Sequence, residues 1–171
     1  NTNDDGYKGM DYSKLTAVLV EAIKEQQKQI NELKANMNAI EATKPGLFNK
    51  DLHLLAAKTI ASGLKDLGIM KGDIDNAVKN GAHALFMPHG LGHQMGLDVH
   101  DMEDLGENLV GYTEDMERSS QLGLKSLRLA KAMEPGFVIT VEPGCYFIPE
   151  LIEKYKSEGK FKDFVNYENL E

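Results

Sequence analysis

The 171-residue chain has no tryptophan, a single cysteine (Cys145) and only five prolines. No apolar run approaches the eighteen or so residues of a membrane span. A lone cysteine excludes an intrachain disulfide and fits a reducing compartment, so a cytoplasmic location is expected. Basic residues number 19 against 27 acidic ones, for a net charge of −8. That balance leaves no excess of positive charge for nucleic acid or for an anionic membrane surface, and neither partner is expected. The first ten residues, NTNDDGYKGM, lack the basic and apolar regions of a signal peptide and do not begin with Met. Hydrophobic residues make up 42% of the chain, enough for a packed core. The length predicts one domain, or one domain with an appendage.

Residues 1–12 read as a flexible polar start. From Ser13 to Thr43 there is neither Gly nor Pro, and Ala, Leu, Glu, Lys and Gln dominate, so a long helix is predicted with Ser13 as its N-cap. Leu19, Ile23, Gln26, Ile30, Leu33, Met37 and Ile40 alternate four and three apart. This is a heptad seam with Ile23, Ile30 and Met37 at a, and Gln26, Leu33 and Ile40 at d. It allows either a self-associating coiled coil or one amphipathic helix packed on its own domain. Lys44-Pro45-Gly46 ends this segment, and residues 44–171 read as the remaining domain.

Asn49 is positioned to cap a second helix, Lys50–Leu67, with Leu52, Leu55, Ala56, Ile60 and Leu64 on one face and Gly68 as its stop. Asp73 begins a short third helix that ends near Asn80-Gly81. After Ala82, short apolar runs alternate with Gly and Pro, which predicts strands. A helix is predicted over about Ser119–Ala132 and a strand over Gly136–Glu142. Pro143-Gly144 fits a type II turn, with Cys145–Ile148 as the return strand. Pro149 opens a last helix through Tyr155. Helices followed by strands predict an α+β fold.

The densest chemistry lies in Phe86–Asp101, FMPHGLGHQMGLDVHD, which holds three of the five histidines. Imidazole is the commonest metal ligand and titrates near neutrality, so the cluster points to a metal site or an acid–base site. His89 and His93 are four apart, on one face of an extended strand. His93 and His100 are seven apart and converge only if Gly96 kinks the chain. A strand, a kink and a second strand are therefore expected. Glu142, at the end of the apolar strand, shares a face with Val138 and Thr140 and is a second candidate ligand or base. Asp98, Asp101 and Glu103 are further carboxylates expected to be solvated. His53 and His83 are expected to be structural.

The pieces HGLGH, GLDVHD and TVEPGCYF, in this order, resemble the metal-dependent Xaa-Pro peptidases, prolidase and aminopeptidase P, whose fold is the "pita-bread" fold. The resemblance runs from about Asn38 to the C-terminus. It implies hydrolysis of the bond before a proline in a peptide, by water activated on two divalent ions. Manganese is the usual metal, with cobalt or zinc as alternatives, and the ligands are two Asp, one His and two Glu. By this resemblance His93 is a metal ligand, Glu142 is ligand and base, and His89 and His100 are pocket residues that act on the substrate. The family's aspartate segment has no counterpart here: Asp11 stands at about the right distance before His93 but in a different context. The family's last glutamate would follow Glu171. With two of five ligands matched, the chain alone is expected to be inactive. Separately, Tyr7–Lys34 resembles the last helix of the trimeric intramolecular chaperone domains of phage tail-spike and adhesin-like proteins, which places a junction near residues 35–40. The peptidase resemblance implies a homodimer and the helix resemblance a trimer. An oligomerising helix fused to a non-catalytic peptidase remnant is thus the alternative reading.

Overall fold

The computed structural model describes residues 12–170, with side chains from residue 16. The start expected over residues 1–12 lies, Tyr12 apart, outside the described residues, as do Asp11 and the Ser13 side chain. Helix α1 spans Tyr12–Ala42, α2 Asn49–Asp66 and α3 Ile74–Lys79. Short helices α4, Asp101–Asp104, and α5, Glu107–Gly111, follow, and α6 spans Pro149–Ser157. Single 3-10 turns lie at Ala82–Leu85, Leu124–Ser126 and Tyr167–Leu170. No helix among the described residues is long and apolar enough to cross a membrane.

α1 packs along α2, but not by its heptad seam. The seam residues Ile23, Ile30, Leu33, Met37 and Ile40 are exposed, while Asn31, Ala35 and Ala39 are buried. Spacings of four put these three on one face. Their small size lets the helices approach closely, to the point where a Cβ on Gly63 would collide with the Asn31 side chain. α2 supplies the centre of the core with Leu52, Ala56, Ile60 and Leu64, against Leu85, Phe86, Met87 and Leu91.

Local signals placed several ends correctly. The Asp73 carboxylate accepts the Asn76 amide at 2.8 Å and caps α3. Pro149 is the first residue of α6. Asn49, by contrast, is no cap. Phe48 holds that position, and the buried Asn49 amide donates to Leu129 O at 2.8 Å.

The strand expectations need correction. Among the described residues, β pairing is recorded as three isolated antiparallel bridges, Phe48 with Ala132, Met70 with Val165 and Gln94 with Ile139. The Gly136–Glu142 segment does pair with residues 91–95: the Met95, Thr140 and Glu142 amides donate to Val138, His93 and Leu91 carbonyls at 2.8–2.9 Å. Regular strand is interrupted because the His93 amide goes to the Thr140 hydroxyl, at 3.0 Å, in place of a main-chain carbonyl. Pro143-Gly144 does not reverse the chain, since Gly144 lacks the positive φ of a type II turn. The Tyr146 amide instead donates to Phe86 O, so Cys145–Ile148 runs on in the same direction. The helix expected over Ser119–Ala132 is reduced to the 3-10 turn. Gly123 has φ +87. Beyond the turn, Leu129, Ala130 and Lys131 use their main chain to bind Asn49, Lys50 and Gly111.

Candidate functional site

The paired segments 91–95 and 138–142 bring His93 and Glu142 together, 49 positions apart in sequence. His93 Nδ1 lies 2.8 Å from Gln94 O, which can only accept, so Nδ1 carries the proton. The other ring nitrogen, Nε2, faces Glu142 Oε1 at 3.2 Å. Thr140 Oγ1 donates to that same carboxylate oxygen at 2.8 Å. Thr140 and Glu142 therefore share a face, as strand alternation predicts. The His93 side chain is 6% exposed and Glu142 55%, so one donor is fixed by the core and the other is open to water. The close pairing depends on Gly92, where a Cβ would collide with Thr140 O.

His100 converges on His93 as expected, with ring centroids 4.5 Å apart and planes tilted by 36°. The second limb is a bend rather than a strand. Asp101 makes it, accepting the amides of Gly96, Leu97 and Asp98 at 3.1, 2.7 and 3.1 Å. These main-chain bonds lower the Asp101 carboxyl below its ordinary value. Asp98 is exposed as expected. Glu103 is not: its side chain is 11% exposed and lies 3.4 Å from His93 Nδ1 and 3.3 Å from His100 Nδ1.

Arg128 approaches the same group, with Nη1 2.6 Å from His100 Nδ1 and 3.9 Å from Glu103 Oε2. A guanidinium only donates, so His100 Nδ1 is the acceptor and Nε2 bears the proton. Sequence reasoning missed Arg128, which sat in a segment read as helix with no local mark of function. His89 Nδ1 lies 2.7 Å from Gly90 O, and its ring meets Tyr146 edge-on at 5.4 Å. Its Nε2 is buried and finds no hydrogen-bond partner among the described residues. His89, His93, His100, Arg128, Glu142 and Tyr146 line one cleft of about 530 Å³. A second cleft, of about 580 Å³, between α1 and Leu170 holds no histidine.

His53 and His83 lie in the core, with rings 6.0 Å apart. Burial, then the neighbouring His83 and His89, pushes His53 down to about 3. Burial pushes His83 down to about 4, partly offset by the Val78 main chain. Among the described residues, none of their ring nitrogens finds a hydrogen bond of good geometry.

The donors suit a divalent ion. With Nδ1 turned to Gln94 O, a neutral His93 ring has its lone pair on Nε2, on the side of the Glu142 carboxylate, where both can bind one cation. Ligands of one ion with bonds of about 2.1 Å stand roughly 3 Å apart, close to the separation seen here. His93, His100 and Glu103 also have ligand atoms within 4.8 Å of one another. The Arg128 guanidinium beside His100 and Glu103 makes that side of His93 the poorer place for a cation.

Residues 10–169 match the sequence model of metallopeptidase family M24. The match starts within the residues before α1 and runs through that helix. Over 147 residues the chain is 40% identical to the Xaa-Pro dipeptidase of Homo sapiens, an alignment covering 85% of this chain and 28% of that protein. It is 37% identical over 137 residues to an Xaa-Pro dipeptidase of Stenotrophomonas maltophilia, covering 80% and 30%. Among solved structures it is similar to Escherichia coli aminopeptidase P in its low-pH form, with TM-score 0.54, 29% identity and coverage of 74% of this chain and 24% of that one. The zinc-substituted form of that enzyme in complex with product gives TM-score 0.53 at 29% identity, covering 74% and 25%. The chain spans under a third of the length of the curated relatives it matches.

Proposed function

The chain belongs to metallopeptidase family M24, and on that premise we propose that it is the part of an Xaa-Pro peptidase that contributes His93 and Glu142 as metal ligands. The reaction is hydrolysis of the peptide bond preceding proline. The observation that carries the reading is His93 Nε2 facing Glu142 Oε1 at 3.2 Å while Nδ1 is held by Gln94 O. A divalent metal, manganese before cobalt or zinc, supplies Lewis-acid polarisation and activation of a water.

The chain's own groups do the rest. Gln94 O fixes the His93 tautomer, and the Thr140 hydroxyl aims the Glu142 carboxylate, which is exposed enough to accept a proton from water. His100, with Nδ1 occupied by Arg128, presents Nε2–H as a donor to the oxygen of the bond under attack. His89, held through Nδ1 by Gly90 O, forms part of the cleft wall beside Tyr146.

Two matched ligands hold one ion. We therefore assign this chain by itself weak, single-ion binding and negligible turnover. Titration of Mn²⁺ into wild type, His93→Ala and Glu142→Gln tests the ligands: each substitution abolishes uptake, and unchanged uptake in either removes that residue from the site. Rapid hydrolysis of Gly-Pro by the metal-loaded chain, lost in Glu142→Gln, would overturn the assignment of inactivity.

The exposed apolar seam of α1 favours a second reading, an oligomerising helix. Ile23 is 62% and Leu33 66% exposed in the single chain, as expected of a seam that another copy covers. Sedimentation equilibrium decides. A monomer at all concentrations removes this reading, a trimer supports the chaperone-helix resemblance, and a dimer supports the peptidase one.

A further inference from the structure

The segment that carries Glu142 is gripped from two sides. On one side the Glu142 amide donates to Leu91 O at 2.8 Å. On the other stands α1, more than a hundred residues earlier. Asn36 Nδ2 donates to Val141 O at 3.0 Å, and Glu32 Oε1 accepts the Cys145 amide at 2.7 Å. Glu32 and Asn36 are four apart, hence neighbours on one helix face about 6 Å apart along the axis. Their two bonds bracket Glu142-Pro143-Gly144, one at each end.

We propose that Glu32 and Asn36 are positioning residues for Glu142: α1 clamps Val141 and Cys145 and thereby sets where the Glu142 carboxylate stands relative to His93. The proposal rests on the reading of Glu142 as a metal ligand. The segment needs such a device. Its own turn chemistry does not hold it, because Gly144 has no type II geometry and Pro143 has no amide hydrogen to give. Glu142 itself is more than half exposed, so packing on its side chain does not fix it. A carboxylate bonded to a main-chain amide is a charge-assisted contact, short and directional. The same carboxylate, after burial, helps to push the Cys145 thiol up to about 12. Cys145 is the only cysteine, so its thiol reports on the clamp independently of metal.

The test uses the full chain and Co²⁺ alone. Affinity is measured by calorimetry for wild type, Glu32→Ala, Asn36→Ala, Glu32→Gln and Glu142→Gln, alongside the rate at which Cys145 reacts with a thiol reagent. Each alanine substitution is expected to weaken Co²⁺ binding about tenfold, the scale of losing a group that orients a ligand, and to speed the reaction of Cys145. Glu32→Gln retains an acceptor for the Cys145 amide and is expected to restore most of the affinity. Wild-type affinity in both alanine variants, with loss in Glu142→Gln, overturns the proposal. Wild-type affinity in Glu142→Gln overturns instead the reading of Glu142 as ligand. Should an alanine variant fail to fold, Asn36→Ser, too short to reach Val141 O, takes its place: weaker binding supports the clamp and equal binding overturns it.

Discussion

His93 Nε2 and Glu142 Oε1 stand 3.2 Å apart because a glycine, Gly92, lets the two segments that carry them lie closer than any side chain would permit. The second glycine of HGLGH therefore sets the distance between the two proposed ligands. A pairing of main chains delivers one buried imidazole and one open carboxylate to the same point.

Replacing Gly92 by Ala puts a methyl group against the Thr140 carbonyl, which is main chain and cannot rotate away. The expected cost is about 1–3 kcal/mol, with the 91–95 and 138–142 segments forced apart. Denaturant melts should show the loss, and Mn²⁺ titration of the folded fraction should show weakened binding. A variant equal to wild type in both would refute the close-approach argument.

Stability should fall on mild acidification. His53 and His83 are held at about 3 and about 4 by burial, against about 6.5 in the unfolded chain. Between those values the unfolded state binds more protons, so stability is full above pH 6.5 and is lost as pH falls towards 4 and below. The loss is on the order of several kcal/mol for the pair. Urea midpoints from pH 7 to 4.5 should drop steeply in wild type and less steeply in a His53→Leu/His83→Leu double variant. Equal slopes would show that the two rings do not carry the effect.

Asp101 closes the bend that returns His100 to His93, through three main-chain amides. Asp101→Ala should speed amide exchange at Gly96, Leu97 and Asp98 and leave the α2 core amides unchanged. Because those bonds lower the folded-state carboxyl, the bend should hold as pH falls to the ordinary aspartate range and loosen only below it. Unaltered exchange at Leu97 in the variant would discard this role.

Ile60 is 1% exposed at the centre of α2. Truncation to Ala should cost about 2–5 kcal/mol, from lost burial and the cavity left behind. Ile23→Ala, on the exposed seam of α1, should cost the single chain under about 0.5 kcal/mol. A large loss in Ile23→Ala that deepens with protein concentration would instead reveal assembly through that seam.

The candidate site was legible where its chemistry is written in short motifs. His89, His93 and His100 follow from one glycine-rich stretch, and Glu142 from the end of an apolar run before Pro143. Glu103 and Arg128 were not legible. Glu103 reads as one more solvated acid, and is shielded from water because the chain brings it beside the His93 and His100 rings. Arg128 lies in a segment with helical composition whose main chain is drawn out by Gly111, Asn49 and Lys50.

By itself the sequence determined what depends on neighbours along the chain: the long α1, the Asp73 cap, Pro149 at the head of α6, and the family to which the histidine and Glu-Pro-Gly boxes belong. Periodicity, capping and motif spacing are local properties, and one chain states them fully. Tertiary structure decided which face of α1 is buried. The heptad seam is the more apolar face, yet Asn31, Ala35 and Ala39 pack on α2, because small side chains allow close approach to Gly63 while Glu32 and Asn36 reach the Glu142 segment. It likewise replaced the expected hairpin by an extended run, since a residue's amide bonds to whatever carbonyl the fold brings within 3 Å, whether or not the sequence has placed one nearby.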